Sequence, residues 1–197
     1  MKKYELTEET VTVYGKTLYR IRAVRDFGSV KTGEFGGYIE KKENLSHFGN
    51  AWVYGNAKVY GDARVSGNAW VYGNARVSGD ARVFDNAWVY GNAKVYGDAR
   101  VSGNAWVYGN AWVYGNAEVF NTRHFFVQGP IGSRDGYVTF YRTKDDTVEV
   151  RCGCFSGSLQ EFVNQVEETH GGSRYEKEYK LAAELAKVCI RLEGESR

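Results

Sequence analysis

The chain has 197 residues, 43% of them hydrophobic and 25% charged, with a formal net charge of +2. Those are the proportions of an ordinary globular protein. Charge is also evenly spread, with 9 Lys/Arg against 7 Asp/Glu in residues 1–48, 6 against 5 in 49–121 and 11 against 12 in 122–197; it does not argue for nucleic acid as a partner, since tight binding by counter-ion release needs a basic excess.

No 18-residue apolar stretch is present, so no membrane-spanning helix is expected. Met1-Lys2-Lys3-Tyr4-Glu5-Leu6 has no apolar run behind its basic residues, so the reading is a cytoplasmic chain without a signal peptide. Twenty-four glycines against a single proline point to many tight turns between short, well-paired strands. Cys152, Cys154 and Cys189 are odd in number and late in the chain, which reads as free thiols in a reducing compartment rather than disulfides or a metal site.

Residues 1–48 read as an N-terminal cap. Val11–Tyr14 and Thr17–Ile21 flank Gly15-Lys16, a hairpin signal. Such a hairpin is expected to cover the open edge of whatever follows it.

From Gly49 to Phe120 the chain is twelve consecutive hexapeptides without an insertion, beginning GNAWVY, GNAKVY, GDARVS. Side chains on a strand alternate faces, so Ala and Val share one side and the residues between them the other. Small and branched residues at every unit fit a narrow core. Gly-Asn or Gly-Asp turns each corner, because these residues tolerate positive φ. Ile39 and Leu45 keep the six-residue step, followed by a two-residue slip before Val53.

A second period of 18 residues lies above the first. One face repeats Trp52, Trp70, Trp88 and Trp106, with Tyr54, Tyr72, Tyr90 and Tyr108 in the same register. The next carries Lys58, Arg76, Lys94 and Trp112, and the third Arg64, Arg82, Arg100 and Glu118. Three units therefore make one triangular coil, and four coils make a prism about 20 Å tall.

The Ala-x-Val-x-Gly-Asn/Asp unit resembles the hexapeptide-repeat, left-handed β-helix superfamily over residues 49–120. The layout, with Gly36-Gly37-Tyr38-Ile39-Glu40 before the array and Cys152-Gly153-Cys154-Phe155 after it, is similar to proteins of Firmicutes and their phages and prophages. The resemblance implies a mainly β fold, a left-handed parallel β-helix, where strand twist alone favours right-handed crossovers. It also brings acyl transfer into view, since many members of the superfamily are acyltransferases using a histidine base. This chain has only His47, His124 and His170, none inside the array, so no catalytic residue is assigned.

Residues 122–197 break the pattern and read as a ββαα module. Tyr137–Tyr141 and Val148–Cys152 form strands around Lys144-Asp145-Asp146. Ser158 and Glu161 cap a first helix. Gly171-Gly172 ends it, and Ser173 with Glu176 opens a second whose Leu181, Leu185, Val188 and Leu192 share one face.

Two sites follow. The Trp/Tyr face is a larger apolar surface than a monomer leaves bare, which points to a homo-oligomer or a protein partner. Asp62, Asp80 and Asp98 stand two residues before Arg64, Arg82 and Arg100 and are expected to compensate them. The Lys58, Arg76 and Lys94 column, with Ser133 and Arg134 in a Gly-bounded loop, are the candidate anion or ligand contacts. The leading expectation is a non-enzymatic interaction protein without cofactor, blocking a host defence factor in the phage setting that the resemblance implies. Its alternatives are a binder of a nucleotide-like small molecule, and an acyltransferase.

Overall fold

The computed structural model describes residues 2–193. Three strands come first: β1 (Tyr4–Val13), β2 (Lys16–Ala23) and β3 (Phe35–Ile39). The array then forms twelve two-residue strands, β4 to β15, running from Trp52–Val53 to Glu118–Val119. Each strand pairs in parallel with the one 18 residues on. Trp52, Trp70, Trp88 and Trp106 line up in one sheet. Lys58, Arg76, Lys94 and Trp112 line up in a second, and Arg64, Arg82, Arg100 and Glu118 in a third. The array's alanines and valines fill one continuous buried core. With β3 and the chain that follows it, the result is a β-solenoid of about five turns.

The ladder explains the invariance of the unit. Trp52 N–H donates to the Ala69 carbonyl at 3.0 Å and Tyr54 N–H to Val71 at 2.8 Å, and the pattern repeats down the prism. Corners must then stack backbone on backbone. A Cβ on Gly49, whose φ is +68°, would lie 2.4 Å from the Gly67 carbonyl oxygen. Asp85 replaces glycine at one corner with φ +56°, and its carboxylate accepts the Gly103 N–H at 3.2 Å. Beside the glycines, Asn50, Asn68, Asn86 and Asn104 pass side-chain hydrogen bonds from coil to coil.

At the N-terminal end the two-residue slip is present: Ile39 pairs with Val59 and Leu45 with Val65. The hairpin turns at Tyr14-Gly15 and joins the second sheet through β3, giving the order β1-β2-β3-β5-β8-β11-β14. The first coil's free carbonyls are met by side chains. Asn44 Nδ2 donates to Gly61 and Ala63, and the buried Lys3 ammonium to Ala51 at 2.8 Å. This cap overturns one expectation. Trp52 is 0% exposed, packed edge-on against Phe27 and Tyr4, and belongs to the core rather than to an exposed face.

After the array, β16 (Phe125–Ile131), β17 (Gly136–Arg142), β18 (Val148–Cys152) and β19 (Phe155–Ser158) form an antiparallel sheet in chain order. Helices α1 (Leu159–His170) and α2 (Arg174–Cys189) cover it. Ser158 and Glu161 make the expected reciprocal cap. The sheet closes the last coil: Phe125 and Tyr141 complete the solenoid core, and Trp112 N–H donates to Thr139 Oγ1 at 3.1 Å. The face expected for α2 is wrong. Tyr179, Ala182, Ala183 and Ala186 are the residues packed inward, because alanines let the helix lie close on the sheet. Leu181 and Val188 are 71% and 79% exposed, and Leu185 is exposed beside them.

Truncating Trp52 to Ala should cost about 3–5 kcal/mol in urea unfolding, whereas Trp88→Ala should cost about 1 kcal/mol or less; equal losses would refute the capped-core placement. Burial, aided by the nearby Arg25, pulls the Lys3 ammonium down to about 8. An unfolded lysine keeps its proton to about 10.4, so above pH 8 the unfolded chain binds more protons and this site's contribution to stability rises with pH. Relative to Lys3→Met, the native protein should gain on the order of 1–2 kcal/mol between about pH 7.5 and 10. Parallel pH profiles for the two proteins would contradict it.

Candidate functional site

A cleft of about 480 Å³ opens where the last coil meets the C-terminal sheet and helices. Trp112 comes from the coil, Ser133 and Arg134 from the turn between β16 and β17, Tyr137 from the start of β17, and Arg151 and Phe155 from β18 and β19. The turn is held by glycine. Gly132 has φ +75°, and a Cβ there would lie 1.8 Å from the Tyr179 hydroxyl oxygen. Its N–H donates to Glu178 of α2 at 2.7 Å, which fixes the loop against the helix and leaves Ser133 and Arg134 exposed on the rim.

The electrostatics are one-sided. Among the described residues no Asp or Glu lines the cleft; the carboxylate of Glu178 lies behind the turn and is engaged by the Gly132 N–H. Arg134 and Arg151 form no ion pair among the described residues, and Arg151 Nε is buried without a protein acceptor. Its guanidinium lies 5.6 Å from the Trp112 ring, and Lys94 Nζ lies 4.0 Å from the same ring. The weak acids present do not offset these charges. Burial raises the Cys152 thiol, and burial, with Cys152 alongside, pushes the Tyr179 hydroxyl up to about 12. Both keep their protons near neutrality, so the cleft is cationic with aromatic walls. Such a lining suits an anion carrying a flat ring, which can stack on Trp112 or Tyr137 while guanidinium groups bind its charge.

The structure brings only part of the expected residues here. Ser133 and Arg134 are in the cleft. Lys94 reaches its edge at Trp112, while Arg76 and Lys58 stand one and two coils further along the second face. On the first face the aromatic columns stack: Trp88 on Trp106 at 5.6 Å, Tyr72 on Tyr90 at 4.9 Å and Tyr90 on Tyr108 at 5.7 Å. Trp70 is half-buried, while Trp88 and Trp106 are 40% and 46% exposed, and Tyr54 and Tyr108 are exposed too. That face is therefore shorter than the four coils expected of it.

Other expectations change as well. Asp62 pairs with Lys41 at 2.7 Å rather than with Arg64, and Arg100 approaches Glu118 at 3.8 Å rather than Asp98. His124 is buried, edge-on to Phe120, with Nε2 2.8 Å from Asn121 Nδ2. Burial pushes it down to about 4, so it is neutral. His47 stacks on Tyr4 and accepts the Lys3 N–H. Neither faces the cleft; His170 does, and Cys152 and Cys154 lie on its wall. Among the described residues no three His, Cys, Asp or Glu side chains gather as a metal site.

Trp112 and Arg151 are the contributors that sequence reasoning missed. Trp112 carried a signal, since it interrupts a cationic column with an aromatic ring. Arg151 carried none, because its position depends on how the module docks.

A family model described as the YdcK beta solenoid repeat matches residues 57–73, 69–83, 75–91 and 93–109, all inside the array. No curated protein matches the chain. In its coils the protein is a β-solenoid repeat protein similar to the YdcK repeat, and nothing in that likeness extends to the cleft.

Proposed function

We propose that this is a non-enzymatic binding protein that captures an anionic small molecule bearing a flat ring, of the nucleotide class, in the cleft at Trp112. One observation carries the reading: aromatic walls and two arginines converge on a cavity that, among the described residues, no acidic side chain lines and where neither arginine has a carboxylate partner. The solenoid acts as a rigid platform for one wall, and the C-terminal module supplies the other. In a phage or prophage setting, sequestering such a molecule would silence a host signal.

The test is differential scanning fluorimetry with nucleoside mono- and diphosphates, cyclic nucleotides and ADP-ribose, followed by titration calorimetry. Ligand at 100 times its Kd adds about 2.7 kcal/mol, which for a chain of this size raises Tm by roughly 5–10 °C. Arg134→Ala and Arg151→Ala should each weaken binding about tenfold. A panel without any shift would sink the reading, and a shift with coenzyme A alone would replace it with acyl transfer.

A second reading rests on the exposed part of the Trp/Tyr column: self-association through Trp88, Trp106, Tyr54 and Tyr108. With Trp52 buried and Trp70 half-buried, the exposed patch is shorter than the four coils, about 20 Å, and falls below the ~800 Å² per partner of a standard interface. Light scattering should therefore show association that grows with concentration and disappears in a Trp88→Ser, Trp106→Ser variant. An oligomer that survives both substitutions would rule this face out.

A further inference from the structure

A near-zero net charge conceals where the unpaired cations stand. Lys58, Arg76 and Lys94 occupy one ladder column, at about 4.8 Å per coil. None has a carboxylate partner among the described residues, although Lys16, Arg20, Arg22, Lys31 and Lys41 nearby all do. Like charges facing each other on neighbouring strands destabilise a sheet. Among the described residues, the local relief is a hydrogen bond from Lys58 Nζ to the Asn56 carbonyl and the rings of Tyr38 and Trp112 under Lys58 and Lys94.

The column is also walled. Tyr60, Ser78 and Tyr96 run beside it, and the hairpin tip at Tyr14 closes a groove of about 300 Å³ over Arg76 and Lys94. Trp112 belongs to this groove and to the cleft alike. Groove and cleft therefore meet at the Trp112 ring, with Arg76 and Lys94 lining the groove and Lys58 standing one coil beyond its lining.

We propose that the cleft and the cationic column beside it together bind a short single-stranded oligonucleotide, with a terminal base in the cleft against Trp112 and the following phosphates along Lys94, Arg76 and then Lys58 beyond the groove. The inference rests on the ligand reading of the cleft and extends it from a single nucleotide to a chain. Bases stack on aromatic side chains with little regard to sequence, and spaced cations follow the backbone. The three coil steps from Lys58 to Trp112 span about 14 Å, enough for a few extended nucleotides. No cation stands on the first face's strands; the third face does carry a column, Arg64, Arg82 and Arg100, but it is exposed and ends at Glu118, which Arg100 approaches at 3.8 Å, rather than at Trp112 and the cleft.

The test is calorimetric titration with adenosine monophosphate and with ribo- and deoxyribo-oligoadenylates of two to six residues, at several salt concentrations. Affinity should rise at least tenfold from the monomer to the tetramer and then level off. Three engaged phosphates give a slope of log K against log salt of about −2, at −0.7 per contact for a single strand. A Lys58→Ser, Arg76→Ser variant should keep the monophosphate affinity, lose the length dependence and show a slope near −0.7. If that double variant fails to unfold cooperatively, Arg76→Gln alone should remove about one contact from the slope. The ribose and deoxyribose arms identify which nucleic acid is preferred.

If the tetramer binds no better than the monophosphate, the column is idle and this inference falls while the cleft reading stands. If neither binds, both fall. Inorganic polyphosphate of matched charge binding as tightly as the oligonucleotide would also overturn the proposal, because the bases would then contribute nothing.

Discussion

Every feature of this protein depends on one constraint: each coil's N–H groups must meet the carbonyls of the next coil, 18 residues on. That ladder leaves no freedom of register, so a side chain can only stand over its own counterpart. Along the array Ala and Val satisfy the constraint inside, and larger side chains such as Leu45, Trp52, Phe125 and Tyr141 enter the core at the two ends. Outside, it turns a repeating sequence into columns of like residues, and the chemistry of a face becomes that of one position multiplied. Aromatic columns gain from this, as the stacked Tyr72–Tyr90 and Trp88–Trp106 pairs show. A cationic column does not: Lys58, Arg76 and Lys94 face one another on the second face, as Arg64, Arg82 and Arg100 do on the third.

A ladder must also stop. At the N-terminal end its carbonyls are covered by a partial turn, by Asn44, and by a lysine drawn out of water to reach Ala51. At the other end its N–H groups meet the antiparallel sheet through Thr139. The two solutions differ in consequence. The first is close-packed around Trp52, whereas the second joins two unlike surfaces and leaves the cleft between them. The cleft thus arises where a regular structure abuts an irregular one.

The array was legible to the residue, including the slip between Leu45 and Val53, because backbone pairing and side-chain size both repeat with the period. The caps were legible as elements but not as packing. Trp52 looks like its three counterparts in sequence; only the chain folded over it separates them. Alternation and helical spacing located β17, β18 and both helices, yet Leu181 and Val188 pointed to the wrong face of α2. Small alanines pack more closely on a sheet than leucines, and hydrophobicity alone does not report that. Ser133 and Arg134 were found through their glycine-bounded loop. Arg151 was not, since a strand residue acquires its role here from a docking surface that no local pattern encodes. Charge summed by segment was similarly uninformative, because what matters is which cations lack partners.

The unbroken register has a consequence for how such a protein can change length. Adding or losing one residue in the array would rotate every later side chain out of its column, and adding six would exchange the faces. A whole coil of 18 can be duplicated or deleted with each column preserved and both end structures untouched. The gene can therefore alter the distance between its two caps only in steps of about 4.8 Å, and the reach of anything lying along the second face would be inherited as a whole number of coils.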